Sequence, residues 1–423
     1  MKSYGQMLLV AMPIFLLLII VEQLWGWFRW REKPNFIDSV SSLASGMTNI
    51  LKSTLGLTIV VVSYPWLRDH LALFHFSENS FWPYVITFVF LDFTGYWIHR
   101  LDHRVNYFWN QHIVHHSSEE FNLPCALRQE ISVFTNILSI TMLPLAVLGI
   151  APEVVALIGP IHLFAQFWYH TKYIGKLGFL EWFLVTPSHH RVHHAMNDLY
   201  LDKNYGQIFI FWDRWFGTFQ EERADVPPIY GVRRPAGTWN PYIINFKHLW
   251  LLLTDSWRTQ SWRDKWRVWW MPTGWRPNDV SEKYPVFSLP RAEDLVRYAP
   301  GYSNLFTWFS LVHTTAIFLL LCYLFSQFGT LNRQEMLLYG LFLLIAIFGF
   351  TSFLDKKLSG LSVMVITAVT AIYWLVKNGD WFGLQSLFGA GALLVGAYFV
   401  ISTTAAAMLL WSENKKAAPS GAA

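Results

Sequence analysis

Residues 7–27, MLLVAMPIFLLLIIVEQLWGW, form a predominantly apolar run whose helical length, at 1.5 Å per residue, matches the roughly 30 Å hydrocarbon core of a bilayer. Such a run dictates a membrane helix, because lipid offers the backbone no hydrogen-bond partner outside the segment itself. No small-residue cleavage site follows, so it reads as an anchor and not as a removable signal. Four more apolar runs close the chain, near 304–326, 335–353, 361–377 and 381–411. Residues 45–66 and 82–98 are read as a hairpin of two further spans. The stretch 131–169, interrupted by Pro144, Gly149, Pro152 and Pro160, is read as two helices in a hairpin or re-entrant arrangement. The expected fold class is all-α: a polytopic membrane helical bundle.

Charged residues make up 14% of the chain and apolar ones 53%, against roughly 25% charged in a soluble domain, which excludes a purely soluble enzyme. The 23 Trp and 18 Tyr suit the headgroup boundary. A net charge of +4 with no basic arm gives no nucleic-acid footprint. Cys125 and Cys322 lie far apart, the second inside an apolar run, so no disulfide framework is expected.

Arg29, Arg31 and Lys33 follow the first span, which puts that loop in the cytoplasm. Each hairpin returns the chain there, and alternation of the last four spans keeps Lys356, Lys357, Lys415 and Lys416 inside as well. The expected organisation is anchor helices over 1–80, a histidine-bearing domain over 81–230, a Trp- and Arg-rich segment over 231–303, and membrane helices over 304–423. That third segment carries eleven Lys or Arg against six Asp or Glu between 231 and 300. It either lies in the headgroup region or packs as the core of a cytosolic cap.

Eleven of the fifteen histidines fall between 99 and 194. Eight of them form three groups: His99 and His103 in HRLDH, His112, His115 and His116 in HIVHH, and His190, His193 and His194 in HRVHH. Spacings of three and four residues put each group on one helix face. Eight imidazoles brought together in an apolar protein would need many partners and would pile up like charge on protonation. Bound cations resolve both problems, and eight nitrogens supply about four to each of two metals with positions left open. His170, at the end of the apolar hairpin, is a ninth candidate ligand or a partner of one; His162 and His189 are weaker candidates. His70, His75, His248 and His313 read as ordinary packed or interfacial residues.

Asp92, Tyr96, His99 and His103 are spaced as one helical stripe, which makes Asp92 a candidate acceptor for a ligand's imidazole N–H. Asn122, Arg128, Lys203 and Asn204 are candidates to hold a polar headgroup or to order the loops around the histidines. Asp202 to Tyr205 read as a lock on the loop after the third group, and WDRWFG (212–217) as an anchor under the site.

The order HRLDH, HIVHH, HRVHH resembles that of the fatty acid hydroxylase and sterol desaturase superfamily, and HHSSEEFNLPCALRQ and HRVHHAMNDLYLDKNYGQIFIFWDRWFGTFQEE are most similar to its glyceryl-ether-cleaving branch. The resemblance covers roughly residues 80–225. It implies a membrane non-haem di-iron oxygenase with a cytosol-facing site, two iron ions held by the eight motif histidines, dioxygen and external electrons, and a lipid C–H bond as target. A pterin reductant is implied for the animal branch only, and Arg104 stands where those enzymes are expected to carry an acidic residue. Hydroxylation of a fatty acyl chain, sterol or ether lipid is the leading expectation and desaturation at the same site the alternative. A zinc hydrolase is disfavoured because no HExxH supplies a glutamate base. A metal pathway would spread its ligands across membrane depth, and haem needs fewer histidines per group. No GxGxxG, CxxCH or cysteine set occurs, so electrons are expected from a separate donor docking on the basic, Trp-rich surface.

Overall fold

The computed structural model describes residues 2–60, 62–77, 80–136 and 138–417. In chain order the helices are α1 (Lys2–Trp30), α2 (Phe36–Thr54), α3 (Tyr64–Leu71), α4 (Trp82–Arg104), α5 (Asn106–His116), α6 (Leu143–Val147), α7 (Pro152–Phe164), α8 (Pro187–His194) and α9 (Phe211–Trp215). They continue with α10 (Pro241–Arg258), α11 (Trp262–Trp270), α12 (Asn278–Lys283), α13 (Asn304–Ser326), α14 (Arg333–Leu354), α15 (Leu358–Asn378), α16 (Leu384–Leu387) and α17 (Gly391–Ala417). Among the described residues the only strands are β1 (Ile59–Val60) and β2 (Thr135–Asn136), a parallel pair. Two compact units result: Met1–Leu55 with Gly237–Ile244 and Arg297–Ala423, and Gly56–Ala236 with Asn245–Val296.

The first unit is a multi-pass membrane bundle. Five helices are long and apolar enough to cross a bilayer: α1 over Gln6–Trp30, α13, α14, α15, and α17 over Gly391–Lys415. Two thirds of the apolar window of α14 is buried (67%), against 22–33% for the other four, so α14 is the central helix and the others present broad faces to lipid. Close packing against it uses small residues. A Cβ added to Gly360 of α15 would lie 2.2 Å from the Phe353 backbone N. Where α14 ends, Asp355 accepts from the Trp239 N–H (2.7 Å) and the Tyr298 hydroxyl (3.2 Å), and Lys356 pairs with Glu413 (2.8 Å).

Four of the apolar stretches differ from expectation. Residues 45–66 are not a span: α2 ends at Thr54, Gly56 turns the chain in the left-handed region (φ +64°), and Pro65 opens α3. The buried face of α2 is lined by Ser39, Ser41, Ser42, Ser45 and Thr48, and Ser41 donates to the Trp239 carbonyl at 2.7 Å. It is therefore an interior helix, polar where a lipid-facing one would be greasy. Among the described residues, 131–169 hold α-helices of only 5 and 13 residues, and the longer reaches about 20 Å, short of a bilayer core. The last span begins at Gly391, after the separate turn of α16. Helix α4 forms over Trp82–Arg104 but is not among the five, carrying Asp92 near its middle and His99, Arg100, Asp102, His103 and Arg104 toward its C-terminus.

The second unit is organised around the corner between α4 and α5. Asn106 satisfies every polar group it carries: its amide donates to the Val268 and Trp275 carbonyls (3.0 and 2.9 Å), its side-chain oxygen accepts from Gly274 N (2.8 Å), its backbone N–H donates to Met271, and its carbonyl accepts from His248 Nε2–H. One residue thus clamps α10 and the segment after α11 onto the histidine-bearing corner. A buried bidentate pair, Arg276 with Asp255 (2.6 and 2.8 Å), reinforces it. The outer face of α11 exposes Trp262, Trp266 and Trp270, one per turn, and α10 exposes Trp250 and Trp257.

Candidate metal centre

Three helices carry the eight motif histidines, and the structure divides them between two sets. His99, His103, His112, His116 and His193 form one, and His115, His170, His190 and His194 the other; within each, the possible ligand atoms all lie within 4.8 Å of one another. The division follows one rule. In each HxxHH the first and third histidines, one turn apart, face one set, and the middle histidine faces the other. Helix α5 gives its pair (112, 116) to the five-membered set and His115 to the four-membered set, while α8 gives its pair (190, 194) to the latter and His193 to the former. Helix α4 adds His99 and His103 to the first set. His170, six residues past the end of α7, completes the second.

The ring nitrogens show what such a set is for. His99 Nδ1–H donates to the Tyr205 carbonyl (2.8 Å), His193 Nδ1–H to the Lys203 carbonyl (3.0 Å), and His170 Nδ1–H to the Gln166 carbonyl (3.0 Å). With the proton on Nδ1, each neutral ring presents a bare lone pair at Nε2. Those Nε2 atoms face other imidazole nitrogens: His99 to His112 at 2.9 Å, His193 to His116 at 3.0 Å, His170 to His190 at 2.8 Å and His115 at 3.4 Å. Two nitrogens each about 2.1 Å from one ion lie about 3.0 Å apart at right angles and about 3.4 Å apart in a tetrahedron. The donor set therefore fits a transition-metal ion in each group. Burial holds the rings neutral: His99 falls to about 4 and His170 to about 3, and His112, His115, His116, His190, His193 and His194 sit well below the ordinary histidine value, with repulsion from neighbouring imidazoles acting in the same direction on His170 and on these six.

The loop 202–206 supplies two of the three carbonyls, and its own geometry is held from below. Asp213 accepts from the Tyr205 and Gly206 N–H groups (both 2.7 Å) and from the Thr218 hydroxyl (2.7 Å); burial pushes its carboxyl up to about 6. Asn204, at φ +53°, spans the His189 and Gln220 carbonyls and accepts from Gln220 N. At the rim Asp202 pairs with Arg104 (2.8 Å). The expected locking role of 202–205 is what these bonds describe, and WDRWFG does more than fill space, because Asp213 lies within it. Nothing in the spacing of the motifs marked Asp213, Thr218 or Gln166; only the contacts reveal them.

Four other expected residues stand near the sets without joining them. Asp92 accepts an imidazole N–H, as its place on the stripe implies, but the imidazole is His162 of α7 (3.0 Å), a member of neither set. Its remaining bonds, to Ile208 N, Phe209 N and Trp212 Nε1–H, hold the chain beyond the loop. Asn122 caps a short 3-10 turn by accepting from Cys125 N, and Arg128 donates to Ser117 Oγ (2.7 Å) at the end of α5. Both order the backbone after HIVHH. His189 is turned away to Thr186 and the edge of Phe219. Aromatic rings wall the sets: Tyr205 and Trp109 against His103, and Tyr169 and Phe121 against His190.

Comparison with known proteins gives the family. Residues 84–218 match a family model described as fatty acid hydroxylase. The chain is 33% identical over 353 residues to the alkylglycerol monooxygenase of Homo sapiens, covering 82% of this chain and 77% of that protein. It is 38% identical over 273 residues to the alkylglycerol monooxygenase of Danio rerio, covering 63% of this chain and 59% of that one. A Delta(7)-sterol 5(6)-desaturase of Aspergillus fumigatus is 26% identical over 201 residues, 41% of this chain and 62% of that protein. No solved structure matches the chain.

Proposed function

The chain belongs to the fatty acid hydroxylase family, and on that premise we propose that it is an iron-dependent lipid monooxygenase acting on the alkyl chain of a glyceryl ether. The observation that carries the reading is the convergence of nine imidazoles into sets of five and four. His99, His103, His112, His116 and His193 would hold one iron ion, and His115, His170, His190 and His194 the other. Bound iron supplies the activation of dioxygen that an unactivated C–H bond requires. The protein's own contribution is preorganisation. Burial keeps the rings neutral, the carbonyls of Gln166, Lys203 and Tyr205 fix their tautomers, and Tyr169, Phe121, Trp109 and Tyr205 exclude water from the reacting volume.

The ether substrate is supported by the alkylglycerol monooxygenases that match most of the chain. Hydroxylation of the carbon beside the ether oxygen gives a hemiacetal, which falls apart to glycerol and a fatty aldehyde. One oxygen atom enters the lipid and the other leaves as water, with two electrons and two protons from a separate donor. We place that donor's docking surface on the Trp-rich, basic face of α10 and α11. The cytoplasmic orientation is supported by the five-span count: loops bearing Arg31 and Lys33, Lys356 and Lys357, and Lys415 fall on one side, while 327–332 and 379–390 carry no Lys or Arg. Likeness to sterol desaturases supports desaturation as a second reading.

Cells producing the full chain, supplied with an alkylglycerol under dioxygen, are expected to convert it to fatty aldehyde, and cells producing His193→Ala to leave it intact. A product two hydrogens lighter would favour desaturation instead, and no oxygen-dependent change in ether lipid would overturn the assignment.

A further inference from the structure

We propose that Tyr205, Tyr96 and Trp97 form an escape route that drains oxidising equivalents from the five-histidine set to the protein surface when no lipid is bound. The inference rests on the oxygenase reading and adds a function to it. A site that makes an oxidant strong enough for an alkyl C–H bond can also oxidise its own ligands, and tyrosine and tryptophan are the side chains that pass a hole onward one electron at a time. The rings lie in series. Tyr205 is 5.3 Å from His103 between ring centroids, Tyr96 is 6.1 Å from Tyr205, and Trp97 is 5.4 Å from Tyr96. Tyr96 is fully buried, whereas Trp97 is 37% exposed.

Oxidising a phenol also requires a place for its proton, and Tyr96 has one. The Thr218 hydroxyl donates its hydrogen to Asp213 Oδ1 (2.7 Å), so in its contact with Tyr96 (2.9 Å) it accepts. Arg100 donates to the same phenol oxygen (3.1 Å), which leaves the Tyr96 hydrogen directed at Thr218. An electron leaving Tyr96 toward the five-histidine set crosses the Tyr205 ring, which bridges the gap and keeps its own proton, and is matched by the Tyr96 proton passing through Thr218 to the Asp213 carboxylate. Trp97 then returns an electron to Tyr96, the proton runs back, and the oxidised indole is reduced at the surface by a soluble thiol. Two passes consume the two oxidising equivalents of one abortive cycle. Trp109 also touches His103 and His116 (5.2 and 5.7 Å), but its ring contacts among the described residues are with histidines alone, so it leads no further.

The test uses iron-loaded, full-length enzyme in lipid nanodiscs, run with dioxygen and reductant but no lipid substrate, with freeze-quench EPR and peptide mapping of oxygen adducts. Unmodified enzyme is expected to show a transient tyrosyl signal and adducts concentrated on Trp97. Tyr96→Phe, which keeps the ring and removes the O–H, is expected to lose the signal, to move the adducts onto Trp109 and the ligand histidines, and to inactivate several-fold faster. Trp97→Phe is expected to prolong the tyrosyl signal. With lipid substrate saturating, both variants should turn over at the unmodified rate. Adducts already centred on Trp109 or the histidines in the unmodified enzyme, or unchanged lifetimes and adduct patterns in both variants, would overturn the route. Should Tyr96→Phe fail to fold, an unchanged signal and adduct map in Trp97→Phe overturns it equally. Failure of the oxygenase reading has a different signature: no bound iron and no lipid-dependent oxygen consumption in any of the three proteins, which would remove the route as well.

Discussion

The five-histidine and four-histidine sets draw on the same two HxxHH helices in opposite proportion, and they differ in what completes them. The larger set takes a pair from α4, and two of its members, His103 and His112, are half-buried near the rim where Arg104 meets Asp202. The smaller set takes a single residue from outside the helices, His170, and only His115 of its four is half-buried. On the proposed reading the first set would have an imidazole to spare, while the second would have none and is walled by Tyr169 and Phe121. We place substrate access with the first on that reading, and fragility with the second.

That contrast breaks most sharply at His170. His170→Ala leaves three imidazoles in the smaller set and is expected to abolish turnover and release one of the two metals, whereas His103→Ala leaves four in the larger set and should retain both metals with reduced activity. Activity assays paired with metal analysis decide it, and equal metal loss in the two variants would erase the distinction. Next in size is Asp213→Ala. It frees the backbone that presents the Tyr205 and Lys203 carbonyls to His99 and His193, and loss of such a support costs roughly 10- to 100-fold in metal affinity. Competition with a chelator should show the loss in the larger set, while the smaller one, anchored through Gln166, keeps its metal.

The smallest effect is at His248, a member of neither set. Burial lowers its pKa to about 4, so the folded state holds it neutral while the unfolded chain binds a proton below about 6.5. Its contribution is fully present above pH 6.5 and is lost as pH falls toward 4, amounting to about 3 kcal/mol across that window. Replacing it with Gln, which can still donate to the Asn106 carbonyl, should flatten the acid limb of the stability curve there and leave activity at neutral pH unchanged.

The two units also differ in how far the sequence could be read. Helices α1, α13, α14 and α15 follow from apolar runs of the right length, because in lipid the backbone has no alternative. Residues 45–66 misled for the same reason: apolar content was present, but Ser45 and Thr48 face the protein interior, the helix ends at Thr54 and Gly56 turns the chain. In the second unit the spacing of HRLDH, HIVHH and HRVHH made the eight motif histidines visible. It did not show that the middle histidine of each HxxHH parts from its neighbours, since helical periodicity specifies a direction and only the crossing of α5 with α8 specifies what lies there. Asp92 illustrates the same limit. Its stripe position pointed to an imidazole partner, and the packing of α7 made that partner His162.

Iron determination on purified, full-length protein tests the central claim most directly, when run beside His170→Ala. Two sets of imidazoles predict two irons per unmodified chain and one in the variant. A single metal in the unmodified protein, or none in a folded one, would contradict the account.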